Sequence, residues 1–150
     1  MKKLKEVSCI FYIRIATIND VNDLFELNSL FGNITTIELM KKALVENELE
    51  IVCIAYVDSI AVGYCSGFIV KSICYSENRA DIESLYVKEK YRGRGIGKAL
   101  ILFLEKEFTE RGIYHFHNST YSNNTTALAL YESIGYVNDG EILLEKSTTT

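Results

Sequence analysis

Glycines and basic side chains lie close together in one short segment of the 150-residue chain. The segment reads Arg92, Gly93, Arg94, Gly95, Ile96, Gly97 and Lys98. Glycine permits sharp turns and removes side chains that would keep a ligand away from the backbone. A strongly helical pattern begins at Ile96, and the amides at a helix N-terminus point outwards where the helix dipole adds positive potential. The segment therefore predicts a site for an anionic group such as a pyrophosphate.

Two familiar phosphate-binding patterns do not fit this segment. A Walker A motif would need glycine at Arg92 and a hydroxyl residue at Ala99. The dinucleotide fingerprint requires Gly-x-Gly-x-x-Gly, whereas the glycines here alternate strictly, and too few βα units follow them. ATP-type and NAD-type sites are therefore disfavoured. A glycine-rich turn that only caps a core helix is the alternative interpretation.

The hydrophobic pattern predicts the elements that position this segment. Strands are predicted at Ile10–Ile15, Ile51–Val57, Ile60–Ile73, Ala80–Val87, Tyr114–Thr120, Tyr136–Val137 and Ile142–Leu144. Helices are predicted after a cap at Asn19 or Asp20, after a capping box at Thr35-x-x-Glu38, over Ile96–Arg111 ending at Gly112, and over Asn124–Ile134 ending at Gly135. Asp58-Ser59 predicts a tight hairpin. The order gives a mixed α/β fold, with one domain over residues 1–146 and a flexible tail at 147–150.

The strand before the glycine segment carries an irregularity. Its large apolar residues are Ile82, Leu85 and Val87, so the period of two breaks between the first pair. One extra residue in a strand is what a β-bulge inserts, and bulges often lie beside active sites. We therefore predict a bulge between Ile82 and Leu85.

A second motif follows at Asn124-x-x-Ala127-x-x-Leu130-Tyr131. Its spacing is typical of the apolar face of a helix, so packing alone explains Ala127, Leu130 and Tyr131 as one interpretation. A functional interpretation is favoured because the motif lies on a predicted helix downstream of the glycine segment.

These two motifs together resemble the GNAT family of acetyl-CoA-dependent N-acetyltransferases. The resemblance implies a mostly antiparallel central sheet, about four flanking helices, and a fourth strand that bulges and splays from the fifth. It implies that acetyl-CoA is the acetyl donor, with the loop amides holding its pyrophosphate and the strand end Leu85-Tyr86-Val87 binding its pantetheine arm. Asn124 would contact the cofactor, and Tyr131 would lie near its sulfur. The family's frequent proline after this strand is replaced here by Lys88-Glu89-Lys90.

The chemistry needs a base and an acid. A lysine-like amine, with a pKa of about 10.4, is mostly protonated at neutral pH and must lose a proton before it attacks the thioester. We predict Glu83, just before the bulge, as the base; a solvated surface carboxylate is the alternative. Tyr131 is the predicted donor of a proton to the leaving thiolate, and the resemblance implies that the backbone N–H of Val87 or its neighbour stabilises the oxyanion.

The acceptor is predicted to be the primary amine of a small molecule, attacking directly in a ternary complex. A protein N-terminus or lysine is an alternative acceptor, and a non-catalytic acyl-CoA sensor is an alternative of another class. A homodimer is a further expectation from the resemblance.

Composition and charge argue against several other kinds of protein and site. The net charge of −4 argues against a nucleic-acid partner. None of the four cysteines forms a CxxC pair and His115 and His117 have no evident further ligands, so no metal is predicted. The charged start Met1–Glu6 argues against a signal peptide, and no stretch of ~18 apolar residues predicts a membrane helix. These features predict a cytoplasmic protein with reduced cysteines.

Overall fold

The computed structural model describes residues 10–149; residues 1–9 and residue 150 lie outside the described part. The expectations for the N-terminal start, for Cys9 and for the last tail residue therefore fall outside it. The strands are β1 (Tyr12–Ile15), β2 (Glu50–Val57), β3 (Ile60–Val70), β4 (Arg79–Val87) and β5 (Phe116–Asn118). The α-helices are α1 (Val21–Phe31), α2 (Ile37–Glu46), α3 (Ile96–Thr109) and α4 (Thr125–Ser133). Two compact units are present, one ending at Ser119 and one beginning at Thr120; the single domain stays a prediction.

The first unit is built on one sheet with strands in the order β1-β2-β3-β4-β5. All neighbouring pairs are antiparallel except β4 and β5, which are parallel. The predicted mixed α/β fold, with a mostly antiparallel sheet and about four helices, is confirmed. The predicted hairpin between β2 and β3 is confirmed too, since Asp58 and Ser59 have φ angles of 47° and 65°, as a two-residue hairpin turn requires.

Helices cover both faces of this sheet. Leu24 and Leu27 of α1 pack with Ile54 and Tyr64 in a buried cluster, against which α2 also packs. Successive strand residues point to opposite faces, and Cys53 on the other face contacts the Leu100 carbonyl of α3 through its Sγ, at 3.7 Å. The α1–α2 pair therefore lies on one face and α3 on the other.

Glycines in β3 allow α3 to approach closely. A Cβ at Gly67 would stand 3.0 Å from the Phe108 ring, and a Cβ at Gly63 would stand 2.7 Å from the Tyr86 carbonyl and 3.3 Å from the Leu100 side chain. Such contacts leave no room for a side chain. The position of α3 on the sheet thus depends on these two residues.

The predicted last strands at Tyr136–Val137 and Ile142–Leu144 are wrong: no strand is present between Asn118 and the end of the described residues. The chain turns there instead, because the side chains of Asn138 and Asp139 accept hydrogen bonds from the backbone N–H groups of Gly140 and Glu141, at 2.9 and 3.1 Å. Such side-chain bonds compete with strand formation.

Several boundaries also differ from the predictions. Helix α2 is capped by Thr36, whose Oγ1 accepts from the Leu39 N–H at 3.2 Å, and not by a box at Thr35. Strand β3 ends at Val70, strand β5 is shorter than predicted at both ends, and α3 ends at Thr109. Gly112 nevertheless has the predicted left-handed conformation, with φ 80°.

A buried carboxylate joins β1, β2 and the start of α1. Both oxygens of Asp20 accept hydrogen bonds from the Arg14 guanidinium at 2.7 Å, and one also accepts from the Thr17 N–H at 2.7 Å. The Tyr56 hydroxyl donates to Asp20 at 2.8 Å. The hydrogen bonds from Arg14 hold the pKa of Asp20 well below its usual range, and burial opposes this effect.

This carboxylate should make folding stability depend on acid pH. Because its folded pKa lies below the unfolded value of about 3.9, its contribution is complete above that value and is lost as the pH falls below it. We expect Asp20→Asn to cost about 2 kcal/mol at pH 7 and to flatten the decline of stability below pH ~5. Urea unfolding from pH 2 to pH 7 measures both effects. Asp23→Asn, which leaves the Arg14–Asp20 pair intact, is the control; an equally steep acid decline in Asp20→Asn would contradict this account.

Candidate functional site

The predicted bulge lies in β4 at Glu83. Pairing between β3 and β4 passes from Ser66↔Ser84 to Gly67↔Ile82, so Glu83 is the extra residue. The bulge prediction is confirmed, with Glu83 in the bulge itself and not just before it.

Strands β4 and β5 separate immediately after this point. Their pairing ends at Ile82↔Asn118, whereas β4 continues to Val87. On the side away from β3, the backbone from Ser84 to Val87 has no strand partner in the described part of the chain. We call this side of residues 84–87 the free edge. Unpaired strand edges offer donors and acceptors that an extended ligand can use.

The glycine segment begins where the free edge ends. After Val87 the chain makes a single 3₁₀ turn, and Gly93 and Gly95 then take left-handed φ angles of 73° and 82°. Gly95 is the N-cap of α3, and the helix's first backbone bond runs from the Ala99 N–H to the Gly95 carbonyl at 3.0 Å. The first amides of a helix have no acceptor within it, so those of residues 96–98 can serve an anion.

The two arginines of the segment hold its backbone. Arg92 donates from Nε to the Val87 carbonyl at 2.8 Å, and its guanidinium lies 5.6 Å from the centre of the Tyr86 ring. Arg94 donates to the Lys90 carbonyl at 3.0 Å. These contacts fix the turn and keep positive charge beside it.

The other two side chains of the segment differ in exposure. The Ile96 side chain is buried, so this residue can meet a ligand only through its backbone amide. Lys98 is exposed on the first turn of α3, where its ammonium group adds to the positive potential of the helix N-terminus.

A pocket of about 630 Å³ lies between the sheet and the α1–α2 pair. Apolar side chains of the two helices form one wall, including Leu24, Phe31, Met40 and Leu44. The sheet contributes the polar wall, formed by Glu50, Tyr64, Ser66, Glu83 and Ser84. Glu83 and Ser84 are the bulge residue and the first residue of the free edge. The pocket and the free edge therefore share one end of β4.

Glu50 is a pocket residue that the sequence analysis missed. Burial raises the pKa of its carboxyl group, the charge of Glu83 adds to that rise, and a hydrogen bond from Asn47 at 3.3 Å opposes it. A glutamate at the start of an otherwise apolar strand was the available signal. Its position near Glu83 in the pocket becomes apparent only when β2, β3 and β4 are placed in register.

Other polar side chains in the pocket are tied to one another. The Tyr64 hydroxyl donates to Asn28 Oδ1 at 2.8 Å, and Asn33 donates to the same oxygen at 2.9 Å. Burial raises the pKa of Tyr64. These bonds fix the side of the pocket where α1 ends.

The second motif lies in the second unit, on α4. The sequence leaves the cap open between Asn123 and Asn124, and the structure has Asn124: its Oδ1 accepts from the Ala127 N–H at 3.1 Å. Tyr131 is partly buried and its ring meets that of Tyr136 edge-on, with 5.8 Å between centroids. Gly135 ends the helix with φ 101°, as predicted.

The two histidines contact each other on β5 and just before it, with 3.0 Å between their Nε2 atoms. The Asp81 Oδ1 atom lies 3.9 Å from the His117 Nδ1 atom. Residues 10–149 contain no cluster of three or more side chains suited to a metal ion. No helix in the same range has the length and apolarity to cross a membrane.

Comparison with known proteins assigns the family. Residues 19–136 match the model of the acetyltransferase (GNAT) family. The chain belongs to the GNAT family. An acetyltransferase of Sodalis glossinidius is 34% identical over 89 residues, which cover 58% of this chain and 63% of that protein. The chain thus spans less than two thirds of the length of that relative.

Solved structures share the GNAT fold. An aminoglycoside acetyltransferase from an uncultured soil metagenomic sample superposes with a TM-score of 0.83 at 21% identity, covering 97% of this chain and 100% of that chain. AAC(6')-Iy in complex with a bisubstrate analog, CoA-S-monomethyl-acetylneamine, superposes with a TM-score of 0.81 at 18% identity, covering 93% and 99%. At these identities the likeness shows the fold alone.

The glycine segment can be tested by filling its turn. Gly95→Val places a β-branched residue at φ 82°, which costs about 1–3 kcal/mol, and puts a side chain beside the amides of α3. We expect the variant to fold and to lose coenzyme A binding, measured by calorimetry. Gly112→Val is the matched control, because Gly112 has φ 80° and open space around it. If Gly95→Val and the parent bind coenzyme A equally well, the segment is not the phosphate site.

Proposed function

We propose that this GNAT protein is an acetyl-CoA-dependent N-acetyltransferase that acetylates the primary amine of a small molecule. One observation carries the proposal: strand β4 leads from a pocket with two carboxylates, at Glu83, to a turn with helix-start amides, after Val87. A donor with an anionic end and an amine acceptor need these two environments side by side.

The donor side of the proposal rests on the glycine segment and the free edge. The amides of residues 96–98, with Arg92, Gly93, Arg94 and Gly95 around them, would hold the pyrophosphate. The pantetheine arm, which carries amide groups, would pair with Leu85, Tyr86 and Val87. The coenzyme A moiety in the AAC(6')-Iy analog supports acetyl-CoA as the donor. Asn124 belongs to the proposed cofactor site by family resemblance.

The acceptor side rests on the pocket. Its volume of about 630 Å³ lies within the range of small-molecule sites, roughly 300–1,000 Å³. Glu50 and Glu83 favour a cationic amine, while Arg111 also lines the wall and lies 3.4 Å from Glu107 as an ion pair. The aminoglycoside acetyltransferase neighbour supports an amine acceptor of this class.

The proposed reaction transfers one acetyl group in a ternary complex. The amine nitrogen forms a bond to the thioester carbonyl carbon, the carbon–sulfur bond breaks, and the amide and free thiol leave. Glu83 accepts the proton that the amine gives up, and Tyr131 donates the proton that the thiolate takes up. The backbone N–H of Val87 or its neighbour stabilises the oxyanion.

Two further expectations belong to this proposal. We expect the enzyme to work in the cytoplasm and to form a homodimer. Light scattering at micromolar concentration tests the oligomeric state.

The direct test is an acetyl-CoA turnover screen over a panel of amines, with free thiol as the readout. The panel contains polyamines, amino acids, aminoglycosides and a lysine-containing peptide. We expect turnover with a small-molecule amine and little with the peptide. Preference for the peptide would favour a protein acetyltransferase. Binding of acetyl-CoA without turnover on any amine would favour an acyl-CoA sensor.

The two catalytic roles can be separated by pH–rate profiles on the best amine. Glu83→Gln should lose most activity at moderate pH and recover partly as rising pH deprotonates the amine unaided. Tyr131→Phe keeps the ring and should lower turnover by about 10²–10⁴, with little change in acetyl-CoA affinity.

Glu50→Gln is the matched control for charge, because it removes the other pocket carboxylate. An unchanged pH–rate profile in Glu83→Gln would show that Glu83 is a surface carboxylate of the pocket and not the base. Full activity in Tyr131→Phe would assign the proton to water or to the amine.

A further inference from the structure

The two carboxylates of the pocket come from strands that are not neighbours. Glu50 on β2 is paired with Phe68 of β3, and Phe68 is paired with Asp81 of β4. Glu83 lies two residues farther along β4, in the bulge. Two strand spacings therefore separate the glutamate backbones, which is about 10 Å across the sheet. Since both residues line the same pocket, its sheet wall has two anionic groups set apart from each other.

These carboxylates are close enough for their charges to interact. Burial raises the pKa of the Glu50 carboxyl group, a hydrogen bond from Asn47 opposes that rise, and the negative charge of Glu83 adds to it. Arg111 also lines the pocket, but its guanidinium lies 3.4 Å from the Glu107 carboxylate as an ion pair. A ligand with one cationic group would neutralise one carboxylate, whereas a ligand with two would neutralise both.

The wall that faces the sheet is apolar where α2 forms it. All the pocket residues that α2 contributes are apolar, namely Leu39, Met40, Ala43 and Leu44. Polar side chains near the end of α1 bond to one another, since Tyr64 and Asn33 both donate to Asn28. A ligand rich in hydroxyl groups would bury some of them against α2 without partners, which is unfavourable. Methylene groups gain free energy in the same place.

The pocket thus combines two separated anions on one wall with an apolar surface on the other. We propose that the acceptor is an unbranched alkyl diamine or polyamine, and that Glu50 binds its second ammonium group while the first amine reacts beside Glu83. The methylene chain would cross the strands from β2 to β4 along the α2 wall. Glu50 then determines specificity and does not take part in proton transfer. This inference rests on the proposed function and narrows its acceptor class.

The test compares kcat/KM for putrescine and cadaverine with kcat/KM for butylamine and pentylamine, which have the same carbon chains but a single amine. Only the diamines can make a charge-assisted hydrogen bond to Glu50, so the parent should prefer them by about 10- to 100-fold. Glu50→Gln should lose most of this preference through a higher KM for the diamine, with kcat little changed. Its pH–rate profile should keep the parent's shape, because Glu83 is still present.

Two further variants separate the charge of Glu50 from other effects. Glu46→Gln removes an exposed carboxylate of α2 that pairs with Lys42 at 3.9 Å and does not line the pocket, so it should keep the parent's preference. Glu50→Asp keeps the charge and should keep part of the preference. Melting curves check that each variant is folded, and the comparison of amines on the parent needs no variant.

The inference and the proposed function fail in different ways. Equal kcat/KM for diamines and monoamines in the parent, or a higher value for aminoglycosides, would overturn the inference and leave an amine acetyltransferase. Glu50→Gln with the parent's full preference for diamines would also overturn it. A parent that releases no thiol with any amine would overturn both.

Discussion

The separation of β4 from β5 after Ile82 is the constraint on which the rest of the site depends. Parallel strands are normally joined by continuous backbone hydrogen bonds, but here the pairing stops while β4 continues to Val87. The bulge at Glu83 makes the stop abrupt, because an extra residue bends the strand and increases its twist. The free edge and the position of Glu83 at the pocket both follow from it.

The helix α3 supplies the other end of the site, and its position is fixed by packing. Gly63 and Gly67 let the helix lie so close to β3 that added Cβ atoms would meet its Leu100 and Phe108 side chains. The buried Ile96 side chain anchors the first turn. The helix start is therefore held rigidly beside the end of β4, and rigid donors bind an anion without a further ordering cost.

Local patterns in the sequence were sufficient for much of this arrangement. The alternating glycines, the broken period between Ile82 and Leu85, and Asp58-Ser59 each act over a few residues, so their predicted turns and bulge appear in the fold. The strand predicted at Ile142–Leu144 is absent, because a short strand forms only where a partner strand exists. The side chains of Asn138 and Asp139 also bind the nearby backbone in a turn. Glu50 carried a signal, as a glutamate at the start of an apolar strand, but its burial beside Glu83 could not be predicted from sequence. That burial is set by strand register across β2 to β4, which brings together residues far apart in the chain.

We propose that acetyl-CoA lies along the free edge with its pyrophosphate at the start of α3. Amide hydrogen exchange, followed residue by residue by NMR with and without saturating acetyl-CoA, is the test of this binding mode. We expect added protection at the amides of residues 96–98 and at those of residues 84–87 that face away from β3, with little change in the β2–β3 hairpin. Protection confined to other segments, with these amides exchanging as in the free protein, would contradict it.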